Sequence, residues 1–201
     1  MPNLNPELQK AIENIEVFKK LITDKVTDTS RKNGLLALVD KVEETLILAP
    51  ASTRTEFHGA FAGGLVDYSL KVVKTMGALN RAYEANLGTE SIVVTGLFHD
   101  IGKCGNGERE YFLPKNSEWH NKQGIMYEVN PDLPNMTVSL RSLYLLQNFG
   151  VKLTADEHYA ISSIKDRSES QVVTNEPMLA LVLQQATRVV AIKGASRSSL
   201  L

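Results

Sequence analysis

Apolar residues recur every three to four positions along most of the chain, which predicts an almost entirely helical protein. Prolines, capping residues and glycines mark the expected helix ends. The predicted helices are one that begins at Asn5–Pro6, one that carries Leu35 to Leu46 and ends before Pro50, and those at about 65–83, 89–102, 137–149, 154–164 and 175–194, the last ended by Gly194.

Two stretches interrupt this helical pattern. Residues 50–64 are rich in small residues and glycines, which predicts an irregular loop. Residues 103–136 are rich in glycine and proline, and their segments 111–113 and 125–129 have the composition of short strands. We therefore expect an all-α fold with a small loop or hairpin insertion around residues 103–136.

The pattern also predicts how the chain is organised. Helices within residues 1–47 should pack on a domain of residues 48–194, and residues 195–201 are too short and polar to pack alone, which predicts a flexible tail. We see neither an internal repeat nor a low-complexity segment.

Composition and charge exclude several classes of protein. A hydrophobic fraction of 43% and a charged fraction of 22% are typical of a globular domain, and the net charge of -1 lacks the basic excess of a dedicated nucleic-acid-binding protein. Cys104 is the single cysteine, which excludes an internal disulfide and zinc sites with paired cysteines. Without a signal-peptide pattern or a long apolar run, we expect a protein of the cytoplasm that does not enter membranes.

Candidate chemistry begins with the pair His99–Asp100, which follows the apolar segment 92–98. Neighbouring helical residues point about 100° apart, so such a pair can flank one ion only if other elements supply further ligands. Imidazole and carboxylate suit zinc, manganese or iron, and magnesium where water completes the shell. The alternative is structural: a helix-end histidine bonded to a carbonyl, with Asp100 capping a turn.

The segment 97–103, Leu-Phe-His-Asp-Ile-Gly-Lys, resembles the signature of the HD superfamily of helical, metal-dependent phosphohydrolases. Upstream segments are similar to the branch found in bacterial exoribonucleases and small phage-encoded HD proteins, and the likeness covers roughly residues 48–192. These segments are Ala51-Ser-Thr-Arg54, Phe57-His-Gly-Ala-Phe61 and Gly63-Gly-Leu-Val-Asp-Tyr-Ser-Leu70. The resemblance implies an HD-domain helical bundle, located in the host cytoplasm if phage-encoded.

The resemblance implies a metal site made of a histidine, the His-Asp pair and a distant aspartate. The pair corresponds to His99 and Asp100, but the first position holds Tyr68 and the last holds Thr187. A phenol and a hydroxyl are poor ligands for magnesium or zinc at pH 7. His58 could replace a missing ligand or contact a phosphate; the alternative is that it packs against Phe57 and Phe61. Asp166 could replace the missing carboxylate; the alternative is that it lies at a solvated helix end.

Two hypotheses follow. In the first, the metal site is partly eroded, and the protein binds a nucleotide, a nucleic-acid phosphate or a protein partner with weak or no hydrolysis. In the second, His99, Asp100 and His58 hold a divalent ion (Mn, Mg, Zn or Fe) that activates water for phosphate-ester hydrolysis, with Asp100 and Lys103 as catalytic residues. The substitutions at Tyr68 and Thr187 favour the first. Candidate phosphate-binding residues, beside Lys103, are Arg54, Arg109, Arg141, Lys165 and Arg167.

Overall fold

The computed structural model describes residues 5–164 and 175–198, of which 196–198 are described by their backbone alone. Its helices are α1 (Pro6–Lys25), α2 (Thr29–Leu48), α3 (Gly64–Ala82), α4 (Thr89–Phe98), α5 (Glu118–Lys122), α6 (Val138–Asn148), α7 (Ala155–Ser162) and α8 (Met178–Ser198). A 3₁₀ turn, Ile101–Cys104, follows α4, and two short strands are β1 (Phe112–Pro114) and β2 (Tyr127–Val129). The fold is all-α, as the sequence predicts.

Helix α4 lies at the centre of the molecule. Every residue from Ile92 to Phe98 is buried, and α4 contacts α1, α3, α7 and α8. A helix that is apolar on all sides is expected only where other elements cover all of it. Because α4 is fixed on every side, the residues that follow it are held in place as well.

The buried core has two parts that share α3, α4 and α7. The larger part is filled from α1, α2, α3, α4, α6 and α7, so the N-terminal helices belong to the same core as the rest of the chain. The smaller part lies between α3, α4, α7 and α8. None of the helices in the described ranges has a stretch long and apolar enough to cross a membrane.

The insertion forms a hairpin that is tied to the loop before α3. Strand β1 pairs antiparallel with β2, with Phe112 opposite Val129. The backbone N–H of Met126 donates to the carbonyl of Thr53 at 2.9 Å, and Arg54 forms an isolated bridge with Ile125. The short helix α5, with Ser117 as its N-cap, was not predicted because five residues are too few to show a helical period.

Two predicted helix ends are wrong. Helix α4 ends at Phe98 instead of Gly102, because the Gly102 N–H donates to the Ser142 hydroxyl of α6 at 2.9 Å instead of continuing the α-helical ladder. Helix α8 continues past Gly194 to Ser198, so residues 195–198 are helical although the sequence predicts a tail from 195. Gly194 serves close packing: a Cβ there would lie 2.7 Å from the Cβ of His58.

Candidate functional site

The pair His99–Asp100 lies directly after α4, and both side chains are buried. The His99 Nδ1 is 3.0 Å from the Gly96 carbonyl oxygen, which can only accept a hydrogen bond. Nδ1 therefore carries the proton, and Nε2 is the nitrogen on the side of Asp100. The Nε2 is 3.9 Å from Asp100 Oδ2, which is too long for a hydrogen bond.

Helix α6 holds the turn that carries this pair. Besides accepting from Gly102, the Ser142 hydroxyl lies 2.9 Å from the carbonyl oxygens of His99 and Val138, so it bridges the turn and its own helix. A Cβ at Gly102 would lie 2.5 Å from the Val138 carbonyl oxygen. Only glycine allows the turn to approach α6 so closely, which explains this residue in the segment 97–103.

Lys103 neutralises the Asp100 carboxylate. Its Nζ is 2.6 Å from Asp100 Oδ2 and donates to the Ala51 carbonyl oxygen at 2.7 Å. Both side chains are more than nine-tenths buried, so little water screens the pair. Within the described residues, Asp100 is the only carboxylate that the sequence predicts as a metal ligand. One of its two oxygens thus pairs with the Lys103 ammonium group.

Three rings line the site next to this ion pair. The centres of the His58 and Tyr68 rings are 4.5 Å apart, and those of Tyr68 and His99 are 5.6 Å apart. The Lys103 Nζ is 5.8 Å from the centre of the Tyr68 ring. Tyr68 therefore contacts both imidazoles. Phe57 and Phe61, which the sequence suggests as packing partners of His58, are exposed.

Tyr68 is a neutral phenol at physiological pH. Burial raises its pKa strongly, and the negative charge of Asp100 raises it further, whereas a hydrogen bond to Thr187 lowers it. The Tyr68 hydroxyl donates to the Thr187 backbone oxygen at 3.4 Å, while the Thr187 hydroxyl donates to the Gln184 carbonyl at 2.8 Å. The two substituted positions are therefore adjacent, and neither presents an anionic ligand atom.

The predicted phosphate-binding residues divide between the site and the surface. Arg54 is exposed and pairs with Glu56 at 3.4 Å, and Arg109 is exposed on the insertion, where it donates to the Asp132 carbonyl at 3.0 Å. Lys165 and Arg167, together with the candidate carboxylate Asp166, lie outside the described residues. Of the arginine candidates in the described ranges, Arg141 alone is buried.

Arg141 brings Tyr111 to the site, a residue that no sequence motif marks. The Arg141 guanidinium carbon lies 5.0 Å from the centre of the Tyr111 ring. Burial raises the pKa of Tyr111, Arg141 lowers it and the charge of Asp100 raises it, so Tyr111 is close enough to sense both groups. Nothing in the sequence around Tyr111 distinguishes it from an ordinary packing residue of a hairpin.

The side chains that the structure describes here do not fit the metal site implied by the HD resemblance. Within the described ranges, no group of three or more His, Cys, Asp or Glu side chains could hold a metal ion. Cys104 is buried next to Lys103, but burial raises the pKa of its thiol, so it does not offer a thiolate. His99, Asp100 and His58 are brought towards one another, with Tyr68 and Lys103 among them.

Comparison with known proteins adds no relative. No protein-family model, no curated protein and no solved structure matches this chain. The HD resemblance therefore stays a prediction, and the function proposed below depends on the geometry of the site.

Proposed function

We propose that the chain is an HD-type protein with a partly eroded metal site, which binds a phosphate-bearing ligand with weak or no hydrolysis. The observation that carries the proposal is the position of Lys103, whose ammonium lies 2.6 Å from Asp100 Oδ2. An ammonium group at that distance competes with a divalent ion for the same oxygen. The ion pair stabilises the site without a metal.

Tyr68 and Thr187 support the same proposal. Their contact, 3.4 Å between the Tyr68 hydroxyl and the Thr187 backbone oxygen, joins α3 to α8 at the place where the resemblance requires a histidine and an aspartate. A neutral phenol and a hydroxyl bind magnesium, manganese, zinc or iron less well than imidazole and carboxylate do. We expect divalent ions to bind weakly.

The positive groups favour an anionic ligand. Arg141 is a buried cation that packs on the 3₁₀ turn, and arginine forks suit the oxygens of phosphate. Lys103, within that turn, is a second buried cation, whose charge Asp100 balances. A nucleotide or a nucleic-acid phosphate fits this chemistry directly. A protein partner would fit it through an acidic or phosphorylated side chain.

The second candidate function is that of an active metal-dependent phosphohydrolase. One observation favours it: His58 contacts Tyr68, which in turn contacts His99, so a second imidazole lies in the same cluster. With His58, His99 and Asp100 as ligands, a divalent ion would have a mixed nitrogen and oxygen set of the kind that manganese or iron accepts. Tyr68 would have to move for all three to meet.

A hydrolysis assay separates the two candidates. Wild type is incubated with mononucleotides, dinucleotides and short RNA in the presence of manganese, and released phosphate or shortened product is measured. We expect no turnover above that of the His99→Ala and Asp100→Ala variants, because none of the three proteins holds a metal in the required geometry. Turnover by wild type that both substitutions abolish would contradict the proposal and establish the second candidate.

A further inference from the structure

Arg141 has a buried positive charge that the described residues do not neutralise. Its side chain is 3% exposed, its Nη1 makes no hydrogen bond, and its Nη2 donates to the Pro134 carbonyl at 2.9 Å. Among the residues that the structure describes, no carboxylate lies within 4.0 Å of the guanidinium. An arginine stays charged at neutral pH, and a buried charge without a counter-charge is costly.

The position of Arg141 ties it to the proposed site. Its Cβ lies 3.0 Å from where a Cβ of Gly102 would be, so the arginine packs on the turn that carries His99 and Asp100. Its guanidinium faces the ring of Tyr111, which is half-buried. The turn and the Tyr111 ring are thus two of the groups packed against this arginine.

From these contacts we infer that Arg141 recognises the terminal phosphate of a phosphate monoester, an inference that rests on the proposed function and names its ligand class. A guanidinium pairs best with an oxyanion that presents several oxygens, and a phosphate monoester carries about two negative charges where a diester carries one. Because the Nη1 is buried, the phosphate that binds it must be the terminal group of its ligand. An internal phosphodiester carries a substituent on both sides of the phosphate and does not fit so enclosed a position.

Calorimetric titration with two small phosphates tests this inference. Methyl phosphate represents the monoester and dimethyl phosphate the diester, both at low ionic strength in a phosphate-free buffer. Wild type should bind methyl phosphate at least tenfold more tightly than dimethyl phosphate. Arg141→Met should weaken methyl phosphate binding at least tenfold and remove this preference, because the loss of one charge-assisted contact is of this order.

The matched control is Arg81→Met, which removes an exposed arginine from the end of α3, away from the turn, and should bind like wild type. Arg141→Lys keeps the charge but loses the planar, bidentate guanidinium, so it should also weaken methyl phosphate binding. If Arg141→Met does not fold, Arg141→Lys serves as the test variant. Circular dichroism confirms that each variant keeps its helices.

The outcomes separate this inference from the proposed function. If both Arg141 variants bind methyl phosphate like wild type while Lys103→Met does not, the site holds phosphate through Lys103 and the role of Arg141 is refuted. Equal affinity of wild type for the two phosphates would refute the monoester preference alone. If wild type binds neither phosphate, the inference is refuted together with the phosphate-ligand part of the proposed function.

Discussion

At the scale of single residues, two glycines within helices differ in how much space surrounds them. Gly194 lies where α8 passes His58, and a Cβ at this position would be 2.7 Å from the His58 Cβ. Gly77 in α3 has open surroundings. A Cβ placed there would have the Arg81 Nη1, at 3.8 Å, as its nearest neighbour apart from the local backbone. Sequence alone reads both as helix-weakening residues, because the contact that explains Gly194 joins positions far apart in the chain.

Alanine substitutions should therefore change stability in opposite directions. We expect Gly194→Ala to lower the free energy of unfolding by about 1–3 kcal/mol, because the new methyl group forces His58 or the helix to shift. Gly77→Ala should raise it by about 0.5–1 kcal/mol, since alanine restricts the unfolded chain and meets no neighbour. Urea unfolding measures both, and a stabilising Gly194→Ala would contradict the packing described here.

At the scale of elements, a buried ionic network joins α2, α4 and α7. Glu157, 0% exposed, accepts from Arg31 Nη2 at 2.6 Å and from the Ser91 hydroxyl at 2.7 Å. Arg31 also binds Glu90 at 3.0 Å. Burial raises the pKa of Glu90, but hydrogen bonds from Thr27 and the charge of Arg31 outweigh burial, so the pKa is lowered on balance. The carboxylate therefore contributes stability that is lost as the pH falls through its folded-state pKa.

Replacing Glu157 by glutamine should be strongly destabilising. The amide keeps the shape but removes the charge that Arg31 faces, and breaking a buried ion pair from one side costs about 3 kcal/mol. Glu128→Gln is the matched control, because Glu128 pairs with Lys115 on the surface, at 44% and 30% exposure, and should cost less than about 1 kcal/mol. Equal losses in the two variants, measured by urea unfolding, would show that the network contributes nothing special.

The sequence predicts the elements of this fold better than their ends. Periodicity and capping residues locate the helices, and the capping box of α7 is present, with Thr154 accepting from the Glu157 N–H. The end of α4 is different, because the Ser142 hydroxyl of α6 determines it, and no local pattern contains that contact. The same holds for the site: the segment 97–103 identifies His99 and Asp100, whereas Tyr111 joins them only through the fold.

At the scale of the whole molecule, the candidate site collects residues from six separate parts of the chain. These are the loop before α3 with Ala51 and His58, α3 with Tyr68, the turn after α4 with the pair and Lys103, the insertion with Tyr111, α6 with Arg141, and α8 with Thr187. These elements meet because α4 is buried in the centre and the others pack around it. We propose that this arrangement keeps the shape of a metal site but lacks two of its four ligands, at Tyr68 and Thr187.

Manganese titration by calorimetry tests that claim most directly. Wild type is compared with the double variant Tyr68→His, Thr187→Asp, which adds an imidazole and a carboxylate beside His99 and Asp100, and with the two single variants. We expect weak or no binding by wild type, intermediate binding by the single variants, and at least tenfold tighter binding by the double variant, a gain of about 1.4 kcal/mol or more. Tight stoichiometric binding by wild type, with no gain in the double variant, would contradict it.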